Sequence, residues 1–238
     1  MNKVLDHLSK NWIEYGFQTF VVVVSILIAF SLDAWYEQRQ SLKSEVKILK
    51  ELRADLQANY IELSSIRDSL ESRKLTVDSA IHSIKNDLPF RPDLFRFLTR
   101  PGGGLFNSAN TAYKLIESGG LNLLSNDSLR IGITTMYETD FANIHRRQDN
   151  LWTFYENQVH DLRLDLFEVS DGENIPRSNS KYIEPKDPEA LRQNLRFKNV
   201  LVTIFGETNG RIVFLGRTLE KLKLLIQQTE EEIRNLEA

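Results

Sequence analysis

The feature that most constrains this chain is an uncharged, apolar segment that runs directly into a heptad repeat. Residues 17–32 carry no charged side chain. At about 1.5 Å per residue, a helix from Trp12 to Trp35 is roughly 35 Å long, enough to cross a hydrocarbon core of about 30 Å. Aromatic side chains, which favour membrane interfaces, stand at both ends: Trp12, Tyr15, Trp35 and Tyr36. The pattern predicts a transmembrane anchor over residues 12–36.

A seven-residue repeat of aliphatic side chains continues beyond this anchor. Its members are Leu42, Leu49, Leu56, Leu63, Leu70, Val77 and Ile84. Neither glycine nor proline interrupts residues 26–88. A long helix with one apolar seam needs a second helix to cover that seam, because its backbone hydrogen bonds alone stabilise it only marginally in water. The repeat therefore predicts a stalk helix over residues 37–87 that packs against other helices.

The middle of the chain predicts short elements followed by another long helix. Two prolines end the stalk, so residues 88–125 are expected to form a small helical cap with loops. A three-four spacing of apolar residues predicts a second long helix over residues 126–170, with Ser125 as its N-cap. A proline-rich loop is expected over residues 171–187.

The last segment, residues 188–238, has the most regular heptads in the chain: Phe205, Ile212, Leu219, Ile226 and Ile233. The three predicted long helices have similar lengths, which favours side-by-side packing. We therefore predict an all-α fold, in which a tail over residues 1–11 precedes the anchor and the stalk joins an up-down-up three-helix bundle or coiled coil. This course would place the cap and the C-terminus far from the membrane, and the proline-rich loop near it.

Composition and motifs argue against several classes of function. A net charge of −3 makes nucleic acid an unexpected partner, and the absence of cysteine excludes disulfides, thiolate metal sites and cysteine nucleophiles. The nearest metal-binding patterns are two pairs at helical spacing, Glu156 with His160 and His145 with Asp149, and neither has a third ligand. The triple glycine 102–104 lacks the lysine of a phosphate-binding loop, so it predicts a flexible turn. We predict a non-enzymatic protein without cofactor or metal.

Two further stretches have a recognisable pattern. Residues 22–37, VVVSILIAFSLDAWYE, are similar to a motif V-V-x-G-I-L-I-A-L followed by W-x-E. Residues 112–121, AYKLIESGGL, and 126–130, NDSLR, are similar to A-Y-x-x-L-x-S-S-G-x-L followed by N-x-x-L-R. In this order the motifs resemble an uncharacterised family of single-span bacterial inner-membrane proteins. The resemblance implies a membrane-anchored architecture and brings no known activity.

Orientation and contacts in the membrane are less strongly encoded. Ser25 and Ala29 form a small-xxx-small pair, which is typical of closely packed membrane helices. Positive charges flank the anchor on both sides in nearly equal number, so the positive-inside rule does not decide the topology. The short N-terminal tail and the lack of a cytoplasmic motif favour a C-terminal domain in the periplasm.

Three functions are compatible with this architecture. The heptads favour a structural or assembly protein that docks copies of itself or other subunits of a membrane complex. A ligand-sensing helical domain is the alternative, since the predicted second long helix has five aromatic residues that could line a pocket: Tyr137, Phe141, Trp152, Phe154 and Tyr155. A homo-oligomeric pore subunit is the third.

The basic pair Arg146 and Arg147 is expected on the surface.

Overall fold

The computed structural model describes residues 12–119, 123–170 and 182–238. The predicted N-terminal tail lies outside this part, and so do the side chains of Trp12 and Tyr15. The described elements are α1 (Trp12–Lys85), a 3₁₀ helix (Pro92–Thr99), α2 (Thr111–Gly119), α3 (Asp127–Thr135), α4 (Ala142–Phe154), α5 (Asp161–Leu166), β1 (Phe167–Ser170), β2 (Tyr182–Pro185), α6 (Pro188–Gln193) and α7 (Leu195–Glu237). The predicted all-helical class is confirmed, with a single small sheet in the described residues.

Helix α1 combines the apolar segment and the heptads in 74 continuous residues. Its N-terminal part is long and apolar enough to cross a membrane, and none of its most apolar 18-residue window is buried by the rest of the protein. Farther along, the seam residues Leu49, Leu56, Leu63, Leu70 and Val77 are fully buried. The helix ends at Lys85, because Asp87 has a φ of 52° and Pro89 cannot continue a helix. One helix therefore joins the candidate span to the core of the domain.

The chain then returns along α1 toward the span. Ala109 exchanges two hydrogen bonds with the Asn59 side chain, at 2.7 and 2.8 Å. At the end of the return, the Glu45 carboxylate accepts hydrogen bonds from the backbone N–H and the hydroxyl of Ser125, at 2.7 and 2.8 Å. The segment predicted as a distal cap therefore reaches down to the base of the stalk. Buried side chains such as Asn59 and Glu45 supply the hydrogen bonds that this irregular backbone needs.

A continuous helical path leads back up from this base through α3, α4 and α5. Its N-cap is Asn126, whose side chain accepts a hydrogen bond from the Leu129 N–H, and not the predicted Ser125. Two π-helical segments, Met136–Phe141 and Tyr155–His160, connect the three helices. Each widens the helix by one residue per turn and rotates the side chains that follow. The predicted three-four spacing of apolar side chains is therefore interrupted twice, once by each π-helical segment.

The end of this path differs from the predicted helix over residues 126–170. Phe167 has extended φ and ψ angles of −125° and 152°, and β1 pairs antiparallel with β2 so that Phe167 faces Pro185. Phe167 and Ile183 are buried while Glu168 and Glu184 are exposed, which is the alternation of a half-buried strand. The residues predicted as a loop therefore include a strand, and residues 171–181 lie outside the described part.

The last segment also begins differently from the prediction. Asp187 caps only the short helix α6, and a second cap, Asn194, starts α7. The Arg192 guanidinium donates a 2.6 Å hydrogen bond to the Leu88 carbonyl, so α6 lies at the far end of the stalk. Lys50 forms a 2.6 Å ion pair with Glu237, so the C-terminus lies near the span. Helix α7 therefore runs antiparallel to α1.

These contacts show that the predicted up-down-up course is wrong. The stalk runs up, residues 100–125 return to its base, the path through α3 to α5 runs up again, and α7 runs down. The predicted course omitted the return of residues 100–125, because most of that segment lacks the periodicity of a long helix. Each later direction was consequently reversed.

Buried apolar side chains form two clusters stacked along α1. The lower cluster includes Leu49 to Leu70 of α1 and is continuous with α3 and the C-terminal half of α7. The upper cluster begins at Val77 and includes a group of phenylalanines: Phe95, Phe97, Phe167 and Phe197. Between the two clusters lies a layer of polar residues that forms the candidate site described below.

Two tyrosines in the lower cluster make the fold sensitive to alkaline pH. Tyr113 and Tyr137 stack with ring centroids 4.4 Å apart, and the Tyr113 hydroxyl donates to Glu138 at 2.9 Å. Burial and the Glu138 carboxylate raise the pKa of Tyr113 to about 12 from its usual 10.0. Since the folded state keeps this proton more tightly, its contribution to stability is complete below pH 10 and is lost as the pH rises toward 12.

We expect the free energy of unfolding to fall between pH 10 and 12, and to fall less in Tyr113→Phe, which cannot ionise. Urea unfolding followed by circular dichroism at several pH values measures this. The control is Tyr36→Phe, because Tyr36 is exposed near the span. An equal pH dependence in the wild type and in Tyr113→Phe would contradict the assignment.

Candidate anion-binding site

A cavity of about 1120 Å³ opens at the junction of the two core clusters. Its walls come from α1, the 3₁₀ helix, the loop after it, α4, α5, β2 and α7. The polar and charged side chains among them are Ser69, Arg73, Thr76, Asp93, Arg96, Thr99, Arg100, Gln148, Arg163 and Arg211. Each of the four segments that run up or down the stalk therefore contributes residues to this one cavity.

The cavity is strongly basic although the whole chain is slightly acidic. Five of its wall residues are arginines, and its one carboxylate, Asp93, forms a 2.6 Å ion pair with Arg91, which lies outside the wall. Within residues 12–119, 123–170 and 182–238, none of the five arginines forms an ion pair. The surplus of positive charge attracts anions and repels cations.

Arg73 is held in a pocket of aromatic rings and carbonyl groups. Its guanidinium donates a hydrogen bond to the Phe97 carbonyl at 3.1 Å and another to the Tyr155 hydroxyl. It also lies 5.7 Å from the ring centroids of both residues. Burial lowers the pKa of Arg73, and the nearby Arg100 lowers it further. The charge of Arg73 is thus fixed in position and only partly compensated.

Arg211 is the second cation of the site, and unlike the half-buried Arg73 it is buried. Its side chain is 8% exposed and donates a 2.9 Å hydrogen bond to the Gly102 carbonyl. Burial lowers the pKa of Arg211, and Arg73 adds to this effect, while Tyr155 and Glu207 oppose it. Two guanidinium groups thus repel each other in a region with little water, where charge interactions are strong.

Gln148 adds a hydrogen-bond donor that has no partner in the described part of the chain. This side chain is 6% exposed, lines the cavity and has a buried Nε2 atom that makes no hydrogen bond there. An unsatisfied buried amide typically destabilises a fold by about 1–3 kcal/mol. The wall of the cavity thus contains a polar group that the described residues leave unsatisfied.

The triple glycine forms part of the wall and has a defined conformation. Gly103 and Gly104 have φ values of 91° and 77°, which strongly favour glycine. A Cβ atom on Gly103 would lie 2.9 Å from the Leu70 side chain. The close approach of this loop to α1 places the Gly102 carbonyl against Arg211. The predicted flexible turn is therefore a close-packed element of the site.

The residues predicted from the sequence lie in three different environments. Trp35 and Tyr36 are exposed on α1, and so are Ser25 and Ala29, which contact no other helix of this chain in the described residues. The α1 seam is buried from Leu49 onward, whereas Leu42 is half-buried. In α7 the seam residues Ile212, Leu219 and Ile233 are buried, and Phe205 and Ile226 are half-buried.

The predicted pocket aromatics divide between the core and the site. Trp152 lines the cavity, and Tyr155 contacts Arg73. Tyr137 and Phe141 are buried in the lower cluster, and Phe154 packs against the upper one. In the described residues no three histidine or acidic side chains come together as a metal site would require. Part of the predicted aromatic set therefore belongs to the site.

The basic pair singled out in the sequence is separate from the cavity wall. Arg146 bonds to Asn143 at 2.7 Å, and Arg147 lies 4.5 Å from the Phe214 ring centroid. One signal could have identified Arg211: it continues a buried stripe on α7 whose other members are Ile204, Thr208 and Leu215. A charged residue at a core position is unusual unless it has a partner or a function.

One known protein family has a sequence model that matches most of this chain. The family model described as "Family of unknown function (DUF6090)" matches residues 18–176, which include most of α1 and the path from α2 to β1. No curated protein and no solved structure matches the chain. Because the match covers more than half of the sequence, the chain belongs to the DUF6090 family.

Proposed function

We propose that this protein is a membrane-anchored receptor that binds an anionic ligand in its arginine-lined cavity. The observation that carries this proposal is the pair formed by Arg73, which is half-buried, and Arg211, which is buried; neither forms an ion pair with a carboxylate in the described residues. A buried charge without a direct ion-pair partner is energetically unfavourable, and such charges are common in binding sites. Of the functions compatible with the sequence, the ligand-sensing domain agrees best with this geometry.

The membrane setting is part of the proposal. The apolar part of α1 is exposed and therefore suited to lipid, and Arg39 lies 4.8 Å from the Trp35 ring centroid at its end. We propose a bacterial inner-membrane location with the helical domain in the periplasm and the long helices packed as a bundle. Reporter fusions at Ala238 test the orientation, and activity of a cytoplasm-only reporter would reverse it.

A thermal-shift experiment tests the binding function. We expect inorganic pyrophosphate to stabilise the full-length protein in mild non-ionic detergent, by about 2.7 kcal/mol at a concentration a hundredfold above its Kd. Sodium chloride at the same ionic strength controls for screening, because it does not bridge two guanidinium groups.

Variants make this test specific. Arg73→Gln and Arg211→Gln should each remove most of the stabilisation by pyrophosphate, because both cations contribute charge-assisted hydrogen bonds. Arg217→Gln is the matched control, since Arg217 is exposed on α7, the helix that contains Arg211, and lies outside the cavity. Absence of any stabilisation of the wild type, or equal loss in Arg217→Gln, would refute the function.

The docking function is a second candidate, and the exposed face of α7 favours it. Val202, Val213 and Leu224 are exposed and recur every eleven residues, which returns them to one side of the helix. Between them, a Cβ atom on Gly206 or Gly210 would have no neighbour within 4 Å. We propose that a second copy of the chain packs here. Native mass measurement in mild detergent tests it, and a monomer would contradict it.

A further inference from the structure

We propose that the ligand is an organic phosphate with at least two phosphate charges and an apolar or aromatic body, taken from the aqueous phase. This inference rests on the proposed anion-binding function and deepens it. The observations that carry it are the arrangement of donors at the inner end of the cavity, the arginines elsewhere on its wall and the apolar remainder of that wall.

The paired arginine donors favour a phosphate over a single carboxylate. Arg73 and Arg211 line the same cavity, and each keeps N–H groups beyond those bonded to Phe97, Tyr155 and Gly102. A carboxylate has two oxygens and pairs well with one guanidinium. A terminal phosphate has three, enough to accept from both arginines at once. All five cations of the wall are arginine, which suits bidentate oxyanion recognition better than lysine does.

Three further arginines indicate more than one phosphate charge. Arg96 and Arg100 are exposed, and Arg163 is half-buried on α5. They line the same cavity as Arg73 and Arg211 and form no ion pair with a carboxylate in the described residues. A single phosphate bound to Arg73 and Arg211 would leave these charges uncompensated. A second phosphate group would reduce the repulsion among them.

The size and apolar wall of the cavity indicate an organic body. A volume of about 1120 Å³ lies just above the range of pockets for drug-sized ligands, roughly 300–1,000 Å³. Five side chains supply apolar surface: Phe97, Leu105, Leu151, Trp152 and Ile183. Trp152 is 41% exposed, so its ring is accessible to a ligand group. An inorganic ion would leave this surface uncovered.

The position of the cavity determines the source of the ligand. Arg73 follows Trp35 by 38 residues in the same helix, a distance of roughly 57 Å. A headgroup in the bilayer that contains the span cannot reach that height, because the lipid stays in its leaflet. The ligand therefore arrives from solution.

Competition against pyrophosphate tests the inference on the full-length protein in mild detergent. The probes are adenosine diphosphate, with an aromatic body, isopentenyl diphosphate, with an aliphatic one, adenosine, without phosphate, and citrate, a polycarboxylate. We expect at least one of the two organic diphosphates to bind tenfold or more tightly than pyrophosphate, and adenosine and citrate to bind more weakly than pyrophosphate.

Two substitutions separate the phosphate contacts from the body contacts. Arg211→Gln should weaken both organic diphosphates and pyrophosphate by about 10- to 100-fold. Trp152→Ala should weaken binding of the tighter organic diphosphate only, because the Trp152 ring is partly exposed and can contact the body of that ligand. Arg217→Gln should change the binding of neither pyrophosphate nor the organic diphosphates.

The outcomes distinguish the two levels of the proposal. If pyrophosphate binds as tightly as both organic diphosphates, or if citrate binds more tightly than pyrophosphate, the ligand class is wrong and the anion-binding function stands. If no anion binds, both fail. Retention of binding in Arg211→Gln would place the ligand elsewhere and overturn the inference.

Discussion

Replacing Phe95 by alanine is expected to lower the free energy of unfolding of the helical domain by about 3–5 kcal/mol. Phe95 is fully buried and lies at the centre of the upper cluster. Its ring stacks on Phe90 with centroids 4.7 Å apart, and the rings of Phe167 and Phe197 lie 6.1 and 6.2 Å away. The residue thus joins the 3₁₀ helix, the hairpin and α7, and its loss would leave a cavity among all three.

Urea unfolding of the full-length protein in mild detergent measures this effect. The control is Leu195→Ala, because Leu195 is 73% exposed at the start of α7 and its truncation removes little buried surface. Phe97, the neighbour of Phe95 at 6.2 Å, lines the anion site, so Phe95→Ala should also weaken pyrophosphate binding. A loss below about 1 kcal/mol would show that the upper cluster does not have the described packing.

Cross-linking of introduced cysteines is expected to show that α7 runs antiparallel to α1, because one cysteine pair should react and the other should not. The chain has no cysteine, so only introduced thiols react. Lys50→Cys with Glu237→Cys should cross-link efficiently with a short bis-maleimide, since the two native side chains form a 2.6 Å ion pair. Both residues are exposed, so the substitutions should leave the fold intact.

The matched control pairs Lys50→Cys with Glu189→Cys. Glu189 bonds to Arg192, which contacts Leu88 at the far end of the stalk, roughly 53 Å from Lys50 along α1. We therefore expect no cross-link in this pair. The up-down-up course predicted from the sequence would give the reverse pattern, so a product in the Glu189 pair alone would restore that course.

The sequence alone was sufficient for the features that depend on local patterns. The absence of charge over residues 17–32 predicts the apolar part of α1, since any charge there would oppose entry into lipid. The repeat from Leu49 to Val77 identifies the buried face of α1, because a helix places residues at this spacing on one side. Caps and breakers were partly predictable: α1 ends before the prolines as expected, while Asn126 takes the role predicted for Ser125.

Tertiary structure decided the direction of each segment and the location of the site. A heptad seam specifies which face is buried and leaves open whether its partner runs parallel or antiparallel, so α7 could be placed either way from Phe205 to Ile233. The return of residues 100–125 depends on hydrogen bonds to Asn59 and Glu45, which are distant in sequence. The candidate site has the same origin. Arg73 and Arg211 are separated by more than a hundred residues, and only the packing of α1 against α7 brings their charges together.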